Sequence, residues 1–371
     1  MRIAYVALHL GRMYIHSGVG IKIRTQMRLW QEMGHETCLF LHTPDISELD
    51  WGSQPIALFT YRQQANVLAR ELSRSAALGD LIRHLQVYRP DIIYLRYGLF
   101  AYPLQAMYQI APVAVEINTD DVAEYRTRGM MFYHINRLTR RLILQPAKAL
   151  MPVSHEIARL PENSRYTKPQ IILSNGIDLR EFAPLSAPCN PVPVLAFVGS
   201  PGRSWHGVDK LPPLAAQFPE LRFEIVGYRK EEFLDAPPNM RWHGYLPPDK
   251  VRQVLAHCDV AFGTLALHRK NMQEASSLKV REALAYGLPV ILGYDDTDFI
   301  GSEFDFLLRL PNTENNVLDH AEEIREFAYR MRGVRVEREA IAKRIDQAEK
   351  EAERLRFFEK LLSSASKQVG K

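Results

Sequence analysis

The chain has 371 residues, more than one typical hydrophobic core organises, so two domains are expected. A net charge of +4 is too small to point to nucleic acid, and 46% hydrophobic with 24% charged residues is ordinary for a soluble globular protein. No run approaches the roughly 18–20 apolar residues of a membrane span, and the three cysteines, Cys38, Cys189 and Cys258, lack metal-ligand spacing and suit a reducing cytosol.

The opening MRIAYVAL reads as a strand over 3–8 rather than a signal peptide. A polar, glycine-containing loop over 9–20 follows, then a helix over 21–33 ended by Gly34-His35, then a strand over 36–41. That order predicts a parallel, Rossmann-like sheet. A short strand at 56–58 and a helix over 66–88, closed by Arg89-Pro90, come next. Strands at 91–95 and 113–117 with a helix between them, a strand at 149–153, a helix over 154–160 and a strand at 171–173 complete a first domain, 1–182. The Pro-rich 183–193 reads as a linker. A second α/β domain, 194–340, carries strands at 194–198, 222–226, 240–243, 260–262 and 290–292. Two such halves imply a cleft for a ligand. The tail reads as one long charged helix over 338–362. Its apolar stripe, Ile341, Ile345, Ala348, Ala352, Leu355, Phe358 and Leu362, needs a surface to cover it.

Residues 274–294, EASSLKVREALAYGLPVILGY, hold two glutamates eight positions apart, Glu274 and Glu282. Ser276 or Ser277 is a candidate cap for a helix striped by Leu278, Leu284 and Ala285 and stopped by Gly287 and Pro289. A helix N-terminus offers free N–H groups and a positive dipole end, which suit a diphosphate. Glutamates before and within the helix then accept hydrogen bonds from sugar hydroxyls on either side of it. The segment resembles the Glu-x7-Glu region of retaining glycosyltransferases with the GT-B fold, of the glycogen-synthase-like family four type. The resemblance extends over most of the chain.

What the resemblance implies is an α/β, GT-B architecture: two Rossmann-like parallel-sheet domains facing a central cleft, the first binding acceptor and the second nucleotide sugar. The C-terminal helix, 341–371, would cross back to the N-terminal domain. Gly18 and Gly20, in Ser17-Gly18-Val19-Gly20, resemble the family's glycine pair beneath the reaction centre. Ser174-Asn175-Gly176-Ile177-Asp178, with Phe182 and Pro184, matches its NGxDxxxF element. Phe197-Val198-Gly199 and Trp205-His206-Gly207-Val208-Asp209 resemble the first strand and loop of the nucleotide-binding domain, where many relatives set an Arg and a Lys against the diphosphate. Here His206 stands at the Lys position, and Arg203 is the arginine in the same loop. Lys279, in Ser277-Leu278-Lys279, is therefore expected to supply charge, with Lys270 a further candidate.

Ile225-Val226-Gly227 and His243-Gly244-Tyr245-Leu246 resemble the segments bordering base and ribose, which places Tyr245 at the donor. The family pattern gives Glu282 the ribose hydroxyls and Glu274 the donor sugar. In the first domain, Asn118 stands where many relatives have a His touching that sugar. An amide can hydrogen-bond a hydroxyl but is not a general base. Asp120 and Asp121 are candidates for holding the acceptor or for capping a helix over 122–126.

Between Glu124 and Glu156 there is no acidic residue, while Arg126, Arg128, Arg137, Arg140, Arg141 and Lys148 interleave with apolar side chains. Such a segment, 126–148, either lies on an anionic membrane surface or packs on the sheet with a solvated basic face. The expected activity is transfer, with retention, of a sugar from a UDP- or GDP-sugar to a hydroxyl of a cell-surface glycan or lipid-linked acceptor. No metal, cofactor or nucleic-acid partner is expected, and the setting would be the cytoplasm or the inner face of the cytoplasmic membrane. A nucleotide-sugar epimerase on the same architecture and a non-catalytic nucleotide-binding subunit are the alternatives.

Overall fold

Six runs rich in Ile, Val, Leu and Ala pair side by side in the first half of the computed structural model, which describes residues 1–11, 18–44, 54–63, 65–233 and 235–369. They are β1 (Arg2–Leu8), β2 (Glu36–Pro44), β3 (Ile56–Tyr61), β4 (Ile92–Arg96), β5 (Val113–Ile117) and β6 (Ala149–Pro152). The order is β3-β2-β1-β4-β5-β6 and every pairing is parallel. β1 is buried from Ile3 onward, as a central parallel strand covered on both faces must be. Helix α1 (Gly18–Glu32) sets Ile23, Met27 and Trp30 into the same core as Tyr5 and Tyr94. Helix α2 (Val67–Tyr88) starts where the Asn66 side chain accepts the N–H groups of Leu68 and Ala69, and stops in a left-handed turn at Arg89. Helices α3 (Asp121–Arg128) and α4 (Met130–Leu144) are separated by Gly129, whose φ of +134° strains any other residue.

The second half repeats the arrangement. Strands β7 (Val194–Val198), β8 (Arg222–Val226), β9 (Met240–Gly244), β10 (Val260–Phe262), β12 (Val290–Leu292) and β14 (Leu307–Arg309) form a parallel sheet in the order β14-β12-β10-β7-β8-β9. The two-residue strands β11 (Glu274–Ala275) and β13 (Asp295–Asp296) pair separately. β11, β13 and β14 escape the sequence reading because runs of two or three residues carry no periodicity. Both six-stranded sheets have the doubly wound 3-2-1-4-5-6 order.

The chain divides into two compact units, residues 1–173 with 350–371, and residues 174–349. The boundary therefore falls at 173/174 and not in the Pro-rich 183–193. Leu179 and Leu185 belong to a core of the second unit, and Asn175 N donates to Ser276 Oγ at 2.9 Å. Within 183–193 only Leu185 and Pro193 are buried, while Pro184 and Pro191 are exposed. Residues 171–173 are not a strand. They run beside β6 with one isolated bridge, Leu150 to Gln170. The connection between β4 and β5 holds only a 3₁₀ turn, Leu104–Gln109.

The tail is two helices, Arg338–Ile345 and Gln347–Val369, parted at Asp346 with φ −67° and ψ 124°. Ile177 N–H bonds Ile345 O at 2.8 Å and Gln347 N–H bonds Ile177 O at 2.9 Å, so a bridge replaces helix bonds at the break. Gly176 passes so close that a Cβ there would lie 2.8 Å from Gln347 Cα. Leu355 and Phe358 of the last helix complete the core around Trp30 and Tyr94 in the first unit.

Candidate functional site

In the second unit β7 ends at Val198 and Gly199 follows. A Cβ on Gly199 would lie 2.3 Å from the Tyr228 ring, and one on Gly227 (φ +94°) would lie 2.1 Å from Gly199 O. The loops after β7 and β8 thus meet through bare backbone at the carboxyl edge of the sheet, the usual ligand position in doubly wound folds. Tyr228 Oη donates to Ser200 O at 2.7 Å and lies 3.2 Å from His206 Nδ1. Gly207, at φ +72°, turns the chain after the short 3₁₀ helix Ser204–His206.

His206 is nearly buried, and Lys279 Nζ lies 3.1 Å from its Nε2 and 3.3 Å from its Nδ1. Burial, followed by the charges of Lys279 and Arg203, depresses the His206 pKa to about 3. A neutral imidazole there accepts from Lys279 and adds no charge. Burial and Arg203 also lower Lys279 to about 7, with Glu282 opposing them in part. Arg203 stacks over the Trp205 ring at 5.2 Å, and Lys270 Nζ lies 4.5 Å from the same ring. Among the described residues neither Lys279 nor Arg203 forms an ion pair with a carboxylate. Lys279 thus stands partly dehydrated beside a neutral imidazole, with the like charge of exposed Arg203 acting on it and Glu282 as the one opposing carboxylate.

Helix Leu278–Ala285 begins at this spot, with Leu278 half-buried in its first turn. Ser277 occupies the cap position, but its side chain makes no capping bond. Ser276 does not cap either: its Oγ accepts from Asn175 N and from Arg281 Nη2 at 3.0 Å. Arg281 is fully buried, with 2.7 Å bonds to both Asp296 carboxylate oxygens and a 3.1 Å bond from Nε to Asn175 O. The Asn175-Gly176 element therefore braces the segment that carries Glu274. Glu274 is 5% exposed, and β11 pairs it with Asp295. Glu282 is half-buried, and burial raises its pKa against the pull of Lys279, so it is not a solvated surface charge. Tyr245 is 87% exposed beyond β9.

In the first unit Asn118 follows β5. Its Oδ1 accepts from Lys22 Nζ at 3.0 Å and its Nδ2 donates to Glu116 Oε2 at 2.8 Å. Glu116 is buried 2.7 Å from Lys22 and 3.0 Å from Arg96. Burial works against its carboxylate, but Lys22, Arg96 and Arg354 outweigh it and hold the pKa well below the carboxylate range. Lys22 in turn falls to about 8, mainly through burial. Asp120 Oδ1 caps α3 by accepting Ala123 N–H at 3.0 Å. Asp121 is buried and takes two 2.9 Å bonds from Arg140. This pair removes Asp121 from the acceptor candidates and Arg140 from the basic face. Gly18 opens α1 and Gly20 is buried in its first turn, while Ser17 lies outside the described residues.

Sequence reasoning missed Lys22 and Tyr228. For Lys22 a signal existed: Lys22, Gln26 and Trp30, four apart, share one buried helix face. Tyr228 gave none, since its role depends on His206, 22 residues away.

Residues 192–301 match the family model described as glycosyl transferases group 1. No curated protein sequence matches the chain. Among solved structures it is similar to a sucrose-phosphate synthase from Thermosynechococcus elongatus, with 15% identity and TM-score 0.65, covering 98% of this chain and 99% of that one. The apo form of the lipopolysaccharide outer core galactosyltransferase WaaB aligns at 12% identity and TM-score 0.68, over 97% and 100% of the two chains. HepE of Anabaena, solved with UDP and glucose, aligns at 13% identity and TM-score 0.60, over 100% and 99%. The fold is that of the GT-B glycosyltransferases, and the stretch of the second unit similar to the group 1 model includes Arg203, His206, Lys279 and Glu282.

Proposed function

We propose that the protein moves a sugar, with retention, from a nucleoside diphosphate sugar to a hydroxyl of a glycan or lipid-linked acceptor, without a metal ion. One observation carries this reading: half-buried Lys279 is hydrogen-bonded to neutral His206 rather than to a carboxylate, with the charge of Arg203 acting on it and Glu282, one turn on, opposing that charge only in part. A diphosphate supplies the missing negative charge, and the start of the 278–285 helix adds its dipole. Neutral His206 holds the Lys279 ammonium in place. Glu282 then accepts from the ribose hydroxyls and Glu274 from the donor sugar, with Tyr245 and the glycine loop 199–202 bordering the donor.

The bond from the anomeric carbon to the phosphate oxygen breaks, and a bond from the acceptor oxygen forms on the same face. The acceptor's proton passes to the departing phosphate oxygen, so no protein base is required. Asn118 orients a hydroxyl in this scheme, because an amide cannot take a proton at neutral pH. Lys279 and Arg203 stabilise the charge that grows on the leaving diphosphate. UDP is the first nucleotide to try, since the HepE structures hold UDP and UDP-glucose. No helix among the described residues is long and apolar enough to cross a membrane. The basic, apolar face of α4 supports work at the inner surface of the cytoplasmic membrane.

The test is thermal stabilisation by UDP, GDP and ADP at about 100 times Kd, where a binder adds roughly 2.7 kcal/mol. One nucleotide should stabilise the wild type and fail to stabilise Lys279→Ala or Glu282→Ala. No shift with any of them would overturn the reading.

A further inference from the structure

A cavity of about 640 Å³ opens in the first unit and shares no residue with the Lys279 cluster. Its size is ordinary for a small-molecule site. Its lining changes character from one part to another. One part is His9, Tyr61 and Arg74. His9 has a φ of +59°, strained for a residue with a Cβ. Its ring lies 2.9 Å from Leu99 O, 3.0 Å from Arg74 Nη2 and 3.3 Å from Tyr61 Oη. Arg74 Nε is buried without a hydrogen-bond partner among the described residues, an unmet donor in the cavity wall. Arg70 and Arg128 add two more guanidinium groups; Glu71, the one carboxylate among the described lining residues, is shared by Arg74 at 2.7 Å and Arg70 at 3.5 Å, and Arg128 pairs with Glu124 outside the lining, so three lining cations face one lining carboxylate. Net charge favours an anion.

The remaining lining is apolar: Val67 from the start of α2, and Met131, Phe132 and Ile135 from the start of α4. All four are exposed, and Leu68, Leu72 and Leu138 on the same two helices are 69%, 63% and 74% exposed. An apolar rim of this extent beside a cationic cavity is costly to leave in water. A hydrophilic anionic glycan would use the arginines and leave the rim bare. Exposed Arg137 and Arg141 lie farther along α4, and residues 125–155 contain no carboxylate to repel an anion.

We propose that this cavity takes an anionic amphiphile, a saccharide joined through phosphate or diphosphate to a hydrocarbon chain, as the acceptor. The phosphate meets Arg70, Arg74 and Arg128, and the chain leaves along Val67, Met131, Phe132 and Ile135. Calling it the acceptor rests on the glycosyltransferase reading above, but the binding chemistry does not.

The experiment titrates the full-length protein with farnesyl diphosphate below its micelle concentration, with inorganic diphosphate and farnesol as separate arms, in saturating UDP to occupy the nucleotide site. Farnesyl diphosphate should bind at least about tenfold more tightly than either half-probe. Arg70→Ala and Met131→Asp, both surface changes, should each weaken it by about tenfold or more while leaving the UDP-induced thermal shift intact. Equal affinity for farnesol would overturn the anionic assignment, and equal affinity for inorganic diphosphate would overturn the amphiphile. Unchanged binding in both variants would place the ligand elsewhere and overturn the site. UDP stabilisation without farnesyl diphosphate binding sinks this inference alone. The reverse result sinks the donor reading alone.

Discussion

The charge network of the first unit and the basic cluster of the second are built from the same residue types and do opposite things. Around β4, β5 and the last helix, Lys22, Arg96 and Arg354 each meet a carboxylate at 3.0 Å or less, Glu116 for the first two and Glu351 for the third. In the second unit Lys279 meets a neutral histidine and another cation. The contrast recurs within one helix. Arg281, two residues after Lys279, is fully buried against Asp296 and Asp298. In this helix the fully buried cation bonded to carboxylates is scaffold, and the half-buried one bonded to a neutral imidazole is the one we propose for an anion. Burial alone does not separate the two, but the partner does.

Substitutions and titrations break or sharpen this contrast. Arg281→Ala removes the cation from two buried carboxylates and from the Asn175 carbonyl, and should cost about 3–5 kcal/mol in urea unfolding of the whole chain. A loss under about 1 kcal/mol would mean the pair is not structural. Lys279→Ala should leave ligand-free stability unchanged or raised, because it deletes a dehydrated like charge. Donor kcat/KM should fall by about 10²–10³, the loss seen when one group stabilising a developing charge is removed. Retained turnover would return Lys279 to the scaffold class.

The pH dependence follows from the same lysine. Its pKa of about 7 in the ligand-free protein lies below the 10.5 of the unfolded chain. The native state thus binds fewer protons between those values, and its contribution to stability rises with pH across that window. An anion favours the protonated form, so UDP affinity should fall as pH rises above about 7, by up to about tenfold per unit. Calorimetry in two buffers at pH 8 should register proton uptake on binding, and Lys279→Arg should abolish it. The smallest effect belongs to His206→Ala. A neutral ring that only positions Lys279 should cost less than about tenfold in UDP affinity, and a loss equal to that of Lys279→Ala would mean the imidazole carries charge.

An acid titration probes the other side. Glu116 is held below its unfolded pKa of 4.5, so its contribution is fully present above that value and is lost as pH falls below it. Glu116→Gln should flatten the stability curve in that range.

Much of this molecule was legible in its residues. The strands 113–117, 194–198, 222–226, 260–262 and 290–292 appear where apolar runs bounded by turn residues placed them. Gly287 and Pro289 stop the helix that holds Glu282, and Asn66 and Ser154 cap helices as their types predict. These features depend on neighbours within a few positions, and backbone sterics and period read them directly. The charges were not legible in this way. His206 and Lys279 are 73 residues apart, and only the fold brings them to 3.1 Å and drives one neutral and the other to about 7. Asp121 and Arg140 are 19 apart, and their pairing turned an acceptor candidate and a basic-face residue into one buried brace. The break at Asp346 came from Ile177, and the boundary at 173/174 came from contacts of Asn175 and Leu185 that composition cannot register. Sequence set the elements because their causes are local. The tertiary structure chose which charges are free to act, because protonation and pairing depend on burial and on partners far along the chain.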